Sequence, residues 1–315
     1  MRIVFMGTPD FAVGSLKLLL ERNYNIVGVV TMPDKPAGRG HKVQFSPVKQ
    51  LALQHNLPLL QPEKLRDESF LTALRALNAD VQIVVAFRML PEVVWNMPQF
   101  GTFNLHASLL PQYRGAAPIN YALINGENET GVTSFFLTHE IDTGKIILQE
   151  KIAIQDTDNA GTLHQKLMVL GAEVVCKTVD LLCEGKVDAV DQQQFIRNET
   201  KLHAAPKIYK DNCFIHTGLT ASQAHNFVRG LSPLPAARFD FVLPNTSQKI
   251  QLKVFETRPE VSAHKYLAGT CLTDGKTYLK VAVADGFLNL ITIQPPGKKP
   301  MQVLEFLRGF RGKGF

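Results

Sequence analysis

Nowhere in the 315 residues does an apolar run approach the roughly 20 residues needed to cross a bilayer, so no membrane partner is expected. Cysteine is scarce, and the four present (Cys176, Cys183, Cys213 and Cys271) form no CxxC pair. No His/Cys cluster has the spacing of metal ligands, so reduced thiols and no bound metal are expected. The opening residues, MRIVFMG, lack the basic region, long apolar stretch and cleavage site of a secretory leader, which points to a cytoplasmic protein. The dinucleotide fingerprint G-x-G-x-x-G is missing as well. Residues 7–11 read GTPDF, the next glycine is Gly14, and Pro9 interrupts, which argues against a nicotinamide site. Repeats and low-complexity tracts are also absent.

What is present is ordinary globular material: 45% hydrophobic and 20% charged residues, in a length that suggests two domains. The net charge of +6 is unevenly spread. Residues 206–315 carry 15 Lys+Arg against 7 Asp+Glu, whereas residues 1–205 carry 19 against 21. A basic module joined to a near-neutral one fits a polyanionic partner as well as a lysine-solvated surface.

Residues 2–7, 25–31, 81–87 and 101–105 read as buried strands. Residues 11–22, 47–55 and 70–77, which lie between them, have helical apolar spacing. That alternation predicts a doubly wound α/β domain, with ligands at the carboxyl ends of its strands. Residues 131–138 and 145–152 read as a hairpin ending the sheet, followed by a long helix over 162–183. Residues 189–206 read as a linker between a domain over 1–188 and another over 207–315. Beyond it, Thr220-x-x-Gln223 predicts a capping box for one helix. Five strand-like segments follow, at 236–242, 249–256, 266–272, 277–284 and 286–293, and predict a small β-barrel. Asp274-Gly275 and Asp285-Gly286 are expected to make hairpin turns between strands.

The chemistry concentrates around residues 103–106, FNLH. Residues i and i+2 of a strand share a side, so Asn104 and His106 are expected to project together at a strand end. A loop rich in Pro and Gly follows, and Asp142-Thr143-Gly144 occupies the polar turn of the hairpin. An amide, an imidazole and a carboxylate suit acyl transfer to an amine. The first two donate to the oxyanion, and the third orients the imidazole or takes a proton. No Ser, Cys or Lys nucleophile is required, because the amine attacks directly. On spacing alone, a turn cap at Asn104 and a core imidazole at His106 remain open as well.

The stretch NLHASLLPQYRGAAPIN with HEIDTG resembles the folate-dependent formyltransferases. IVFMGTPDFAV, TMPDKPAGRGHKVQFSPVK, LSPLPAA and QPPGKKPM extend that resemblance nearly end to end, toward members that act on aminoacylated tRNA. It implies a Rossmann-like formyltransferase domain followed by a barrel of the oligonucleotide-binding type. The implied reaction moves the formyl group of 10-formyltetrahydrofolate to the amino group of methionyl-initiator tRNA in translation initiation, by a protein expected to be monomeric. A sugar amine or glycinamide ribonucleotide is the alternative acceptor.

Carried onto this sequence, the resemblance makes Asn104, His106 and Asp142 the catalytic trio. Ser108, Leu109, Leu110 and Pro111 line the reduced-folate site, and Phe87, Arg88, Met89 and Leu90 contact its pterin, largely by backbone. Residues 86–90 read AFRML where the tRNA-acting members are expected to have Ala-Tyr-Gly, and in this they are closer to the glycinamide branch. Arg39, with Lys35 and Lys42, marks a basic loop that meets the acceptor stem. Lys207 and Lys210 are implied phosphate contacts in the basic module.

Overall fold

The computed structural model describes residues 1–37, 42–196, 201–242 and 249–309. The chain begins with β1 (Arg2–Gly7), α1 (Asp10–Glu21), β2 (Asn25–Val30) and a hairpin of β3 (Lys35–Ala37) and β4 (Lys42–Gln44). It continues through α2 (Pro47–Gln54), β5 (Leu59–Leu60), α3 (Glu68–Ala76), β6 (Val81–Val85) and α4 (Glu92–Trp95). Next come β7 (Thr102–His106), β8 (Arg114–Gly115), α5 (Pro118–Ile124), β9 (Glu129–Phe136), β10 (Ile146–Ala153) and the long α6 (Ala160–Cys183). A 3-10 turn at Gln192–Phe195, β11 (Ala204–Ala205) and a second 3-10 turn at Lys210–Cys213 lead to α7 (Ala221–Leu231). The chain closes with β12 (Ala237–Val242), β13 (Lys249–Val261), β14 (Cys271–Thr273), β15 (Leu279–Val283), β16 (Gly286–Gln294), β17 (Met301–Gln302) and α8 (Val303–Arg308). No described helix is long and apolar enough to cross a membrane.

Contacts divide the chain into two compact units. One holds Met1–Gly115, Glu129–Ile152 and His164–Ala204, and the other holds Ala116–Asn128, Ala153–Leu163 and Ala205–Phe315. Two short segments from well before the predicted linker, one carrying α5, thus belong with the C-terminal residues.

The first unit is built on a seven-stranded sheet of order β10-β9-β7-β6-β1-β2-β5. β1 pairs in parallel with both β2 and β6, and β6 with β7, while β9 runs antiparallel to β7. Ile3, Val4, Phe5 and Met6 are fully buried. Both faces of this central strand are therefore covered, as its uninterrupted apolar run requires. Each such side chain contributes on the order of 1.5–3 kcal/mol by leaving water. The strand order reverses at β1, and the carboxyl ends of β1, β6 and β7 open on the side where sheets of this type hold ligands.

One buried ammonium knits the root of the β3–β4 hairpin. Lys49, in the first turn of α2, bonds Asp34 before the hairpin and Gln61 beyond the helix, and lies over the Phe45 ring. Hydrogen bonds from Lys49 and Gln61 hold the Asp34 carboxyl below the usual carboxylate range. Ser46 caps the same helix by accepting from the Lys49 amide at 3.1 Å.

The second unit carries an antiparallel half-barrel sheet of order β12-β13-β16-β15-β14, with β17 paired to β16. β13 bends through register shifts around Val254, Glu256 and Thr257, so one long strand serves where the sequence predicted a strand ending at 256. The strand predicted over 266–272 is reduced to Cys271–Thr273. The preceding chain turns instead, with the Thr270 amide donating to Leu267. Phe241 and Phe306 meet edge-on at 6.0 Å in the core beneath the sheet.

The expected capping box forms. The Gln223 amide donates to Thr220 Oγ1 at 3.2 Å, and the Thr220 amide donates to Gln223 Oε1 at 3.0 Å. Asp274-Gly275 makes its turn, with Gly275 at φ +70°. Asp285 does something the sequence did not announce: its carboxylate accepts from the Ala221 amide at 2.7 Å and so caps α7 from a distant hairpin. Thr220→Ala is expected to destabilise the protein by about 1 kcal/mol in denaturant titrations. The loss stays that small because Asp285 retains its hold on the helix start, and a loss several times larger contradicts the shared cap.

Candidate active site

β7 carries Asn104 and His106 at its carboxyl end. Asn104 lies opposite Val84 of β6 and Phe135 of β9, and His106 lies opposite Thr133. Two residues apart, they share a face of the sheet. The Asn104 side chain is half-buried and makes no hydrogen bond to any described residue.

His106 is 7% exposed, and each of its ring nitrogens faces one defined neighbour. Nε2 lies 2.9 Å from the carbonyl oxygen of Tyr113. A carbonyl only accepts, so Nε2 carries hydrogen and donates, which leaves Nδ1 as the variable nitrogen. Nδ1 faces Asp142 Oδ2 at 3.8 Å. Asp142 Oδ2 in turn accepts from the Gly115 amide at 2.9 Å.

The two residues that face His106 share a backbone feature: Tyr113 sits at φ +59° and Asp142 at φ +56°. Left-handed geometry costs a side-chain-bearing residue about 1–3 kcal/mol and persists only where the surroundings over-determine it. They do so here. The Tyr113 amide donates to His203 O at 2.7 Å. The carbonyls of Asp142 and Gly144 both accept from Gln192 Nε2, at 2.9 Å and 2.8 Å. Gly144 explains the Asp-x-Gly spacing: a Cβ there would lie 1.7 Å from the Phe136 carbonyl oxygen. Only glycine lets the turn close against β9.

The loop after His106 is stitched to the neighbouring strands. Thr133 Oγ1 donates to Ser108 O at 2.6 Å and accepts from the Leu110 amide at 3.2 Å. Gln149 Nε2 donates to Leu110 O at 3.0 Å, and Ser108 Oγ donates to Gln112 O at 2.6 Å. Of the residues implied as folate-lining, Ser108, Leu110 and Pro111 are buried within this loop, and Leu109 is half-buried. Leu110 packs with Phe135 and Ile146.

The second implied folate segment leaves β6 through Ala86 at φ +48°. The backbone amides and carbonyls of 87–90 have no hydrogen-bond partner among the described residues. They form a row of donors and acceptors that suits the edge of a heteroaromatic ring. Arg88 points its guanidinium elsewhere, to the carbonyls of Pro62 and Glu63, with burial lowering its pKa. Leu90 is buried and Met89 is exposed.

The implied RNA contacts are placed only in part. Arg39 lies outside the described residues; Lys35 and Lys42 stand on the paired backbones of β3 and β4. In the second unit, Lys207 Nζ sits 5.3 Å from the centre of the Tyr209 ring, and Lys210 is exposed.

Sequence reasoning missed Tyr113, whose contribution is a carbonyl and leaves no mark on residue type. It also missed Gln192, placed in the segment read as linker, and Arg114, which donates to Gln192 Oε1 from Nε at 3.1 Å and Nη2 at 2.6 Å. No local pattern singles out Gln192 from the two glutamines that follow it.

Comparison with known proteins adds three findings. Residues 1–179 match the family described as Formyl transferase, and residues 207–311 match Formyl transferase, C-terminal domain. The methionyl-tRNA formyltransferase of Bacteroides thetaiotaomicron is 58% identical over 311 residues, which is 99% of this chain and 96% of that protein. Among solved structures, the sugar 3N-formyl transferase WlaRD, crystallised with dTDP and 5-N-formyl-THF, aligns with a TM-score of 0.63 at 20% identity. That alignment spans 95% of this chain and 99% of WlaRD. HypX from Aquifex aeolicus, in complex with tetrahydrofolic acid, aligns with a TM-score of 0.63 at 17% identity over 99% of this chain and 48% of its own. At those identities the two structures establish the fold alone.

Proposed function

The chain belongs to the formyl transferase family, and on that premise we propose that it transfers the formyl group of 10-formyltetrahydrofolate to the free amino group of methionyl-initiator tRNA. The observation that supports this most directly is the setting of His106, fixed between the Tyr113 carbonyl and the Asp142 carboxylate beside Asn104 at a strand end. An amine that attacks a formyl carbon must lose a proton, and the departing folate nitrogen must gain one. The amine adds to the formyl carbon, moving the carbonyl electron pair onto oxygen, and the return of that pair breaks the bond to the folate nitrogen.

In this reading Asn104 donates its free amide to the formyl oxygen as the carbon becomes tetrahedral. His106, with a second proton on Nδ1, donates to the same oxygen and then passes that proton to the departing folate nitrogen, while Asp142 holds the imidazole and accepts the amine's proton through water. The backbone of 87–90 receives the pterin edge, with the loop 108–111 beside it. The catalytic domain covers 1–188, residues 189–206 connect it to the rest, and 207–315 hold the tRNA. Arg39, Lys35 and Lys42 meet the acceptor stem, and Lys207 and Lys210 meet phosphates. The enzyme acts as a cytoplasmic monomer.

The basic C-terminal module separates this reading from formylation of a sugar amine or glycinamide ribonucleotide, which has no phosphate backbone to engage. With 10-formyltetrahydrofolate as donor, methionyl-tRNA is expected to be used with kcat/KM roughly a thousandfold above either small amine, because remote binding energy is spent on the reacting centre. That advantage is expected to shrink steeply as salt rises. Equal or better use of a small amine would sink the proposal.

A further inference from the structure

We propose that Gln192 is a positioning residue for formyl transfer, holding the turn that bears Asp142 from within the segment that reads as a linker. This rests on the catalytic reading of Asp142 given above. Gln192 is 1% exposed, and its amide is fully engaged. Nε2 donates to both Asp142 O and Gly144 O, and Oε1 accepts twice from Arg114. Two carbonyls on one side require a donor, and a guanidinium on the other requires an acceptor. Glutamine supplies both from one planar group.

The surrounding contacts fix Gln192 in turn. Asp191 Oδ1 accepts from the Gln193 amide at 2.8 Å and caps the 3-10 turn. Val190 exchanges two backbone hydrogen bonds of 2.8 Å with Ile146, just past the Asp142 turn. The consecutive residues Arg114 and Gly115 then reach both ends of the arrangement, Arg114 the Gln192 oxygen and Gly115 the Asp142 carboxylate. Asp142 keeps its left-handed backbone because its carbonyl and its carboxylate are each held by a separate donor. Without Gln192, two carbonyls lose their donor, and the turn is free to relax and carry the carboxylate away from His106.

The test is a double-mutant cycle of Gln192→Glu and Asp142→Asn in the full-length enzyme. Glutamate keeps the acceptor for Arg114 but turns an oxygen toward two carbonyls. Gln192→Glu is expected to lower kcat by roughly tenfold or more, with KM for methionyl-tRNA and for the folate within about twofold of wild type. On the Asp142→Asn background the same change is expected to cost less than about twofold, because its effect passes through Asp142. Gln192→Asn, which retains donor and acceptor on a shorter arm, runs the same cycle if the glutamate variant does not fold. Near-normal kcat in the Gln192 variants, with Asp142→Asn strongly impaired, overturns the proposal and leaves the Asp142 reading intact. An equal cost with and without Asp142 overturns it too, and an unimpaired Asp142→Asn overturns both.

Discussion

His106→Ala is expected to slow formyl transfer by about 10²–10⁴-fold, the range lost when a positioned acid–base group or an oxyanion donor is removed. The imidazole ends β7 with Nε2 committed to the Tyr113 carbonyl, while Nδ1 faces Asp142 at 3.8 Å, too far for a hydrogen bond, and so remains available to the substrate. Alanine removes the hydrogen offered to the formyl oxygen and the route by which Asp142 communicates with it. Thr133 and Gln149 cannot take its place, because both are already spent on the loop 108–111, and the Asn104 amide cannot pass a proton. Folding is expected to survive, since the strand ladders to β6 and β9 are made by backbone. Single-turnover formylation at saturating substrates, with circular dichroism alongside, measures the effect. A rate within a few fold of wild type in a folded variant would remove His106 from the chemistry.

Gly144→Ala is expected to damage rate and stability together. The added Cβ would stand 1.7 Å from the Phe136 carbonyl oxygen and 2.9 Å from its carbon. Backbone on β9 cannot yield as a flexible side chain would, so the turn must move, and overpacking of this kind costs about 1–3 kcal/mol. The turn carries Asp142 two residues earlier and presents one of the carbonyls that Gln192 holds. The expected outcome is a loss of roughly tenfold or more in kcat beside a lowered denaturation midpoint, because a displacement of about 1 Å in a catalytic group is enough for that. A stable, fully active Gly144→Ala enzyme would show that the Asp142 turn tolerates movement, contrary to the geometry.

Much of this molecule is legible in its sequence. The unbroken run Ile3–Met6 had to be a strand buried on both faces, and it is. The Thr220-x-x-Gln223 spacing announced a capping box whose two hydrogen bonds are both present. The i, i+2 spacing of Asn104 and His106 placed them on one face of a strand end. The segment read as linker, by contrast, delivers Gln192 to the site, and residues 116–128 fold with the C-terminal unit.

By itself, then, the sequence determined what lies within a few residues of itself: strands, helices, caps, and which chemical groups stand at a strand end. Apolar period, capping spacing and turn chemistry act over one or two turns of chain, and a reader of the chain sees them whole. Only the tertiary structure decided which groups face each other. Gln192 and Asp142 stand 50 residues apart, and Ala221 and Asp285 stand 64 apart. The left-handed turns at Tyr113 and Asp142 likewise exist because distant donors and acceptors hold them. Those pairings are set by how the layers close over a common core, a cooperative result that leaves no trace in any single stretch of residues.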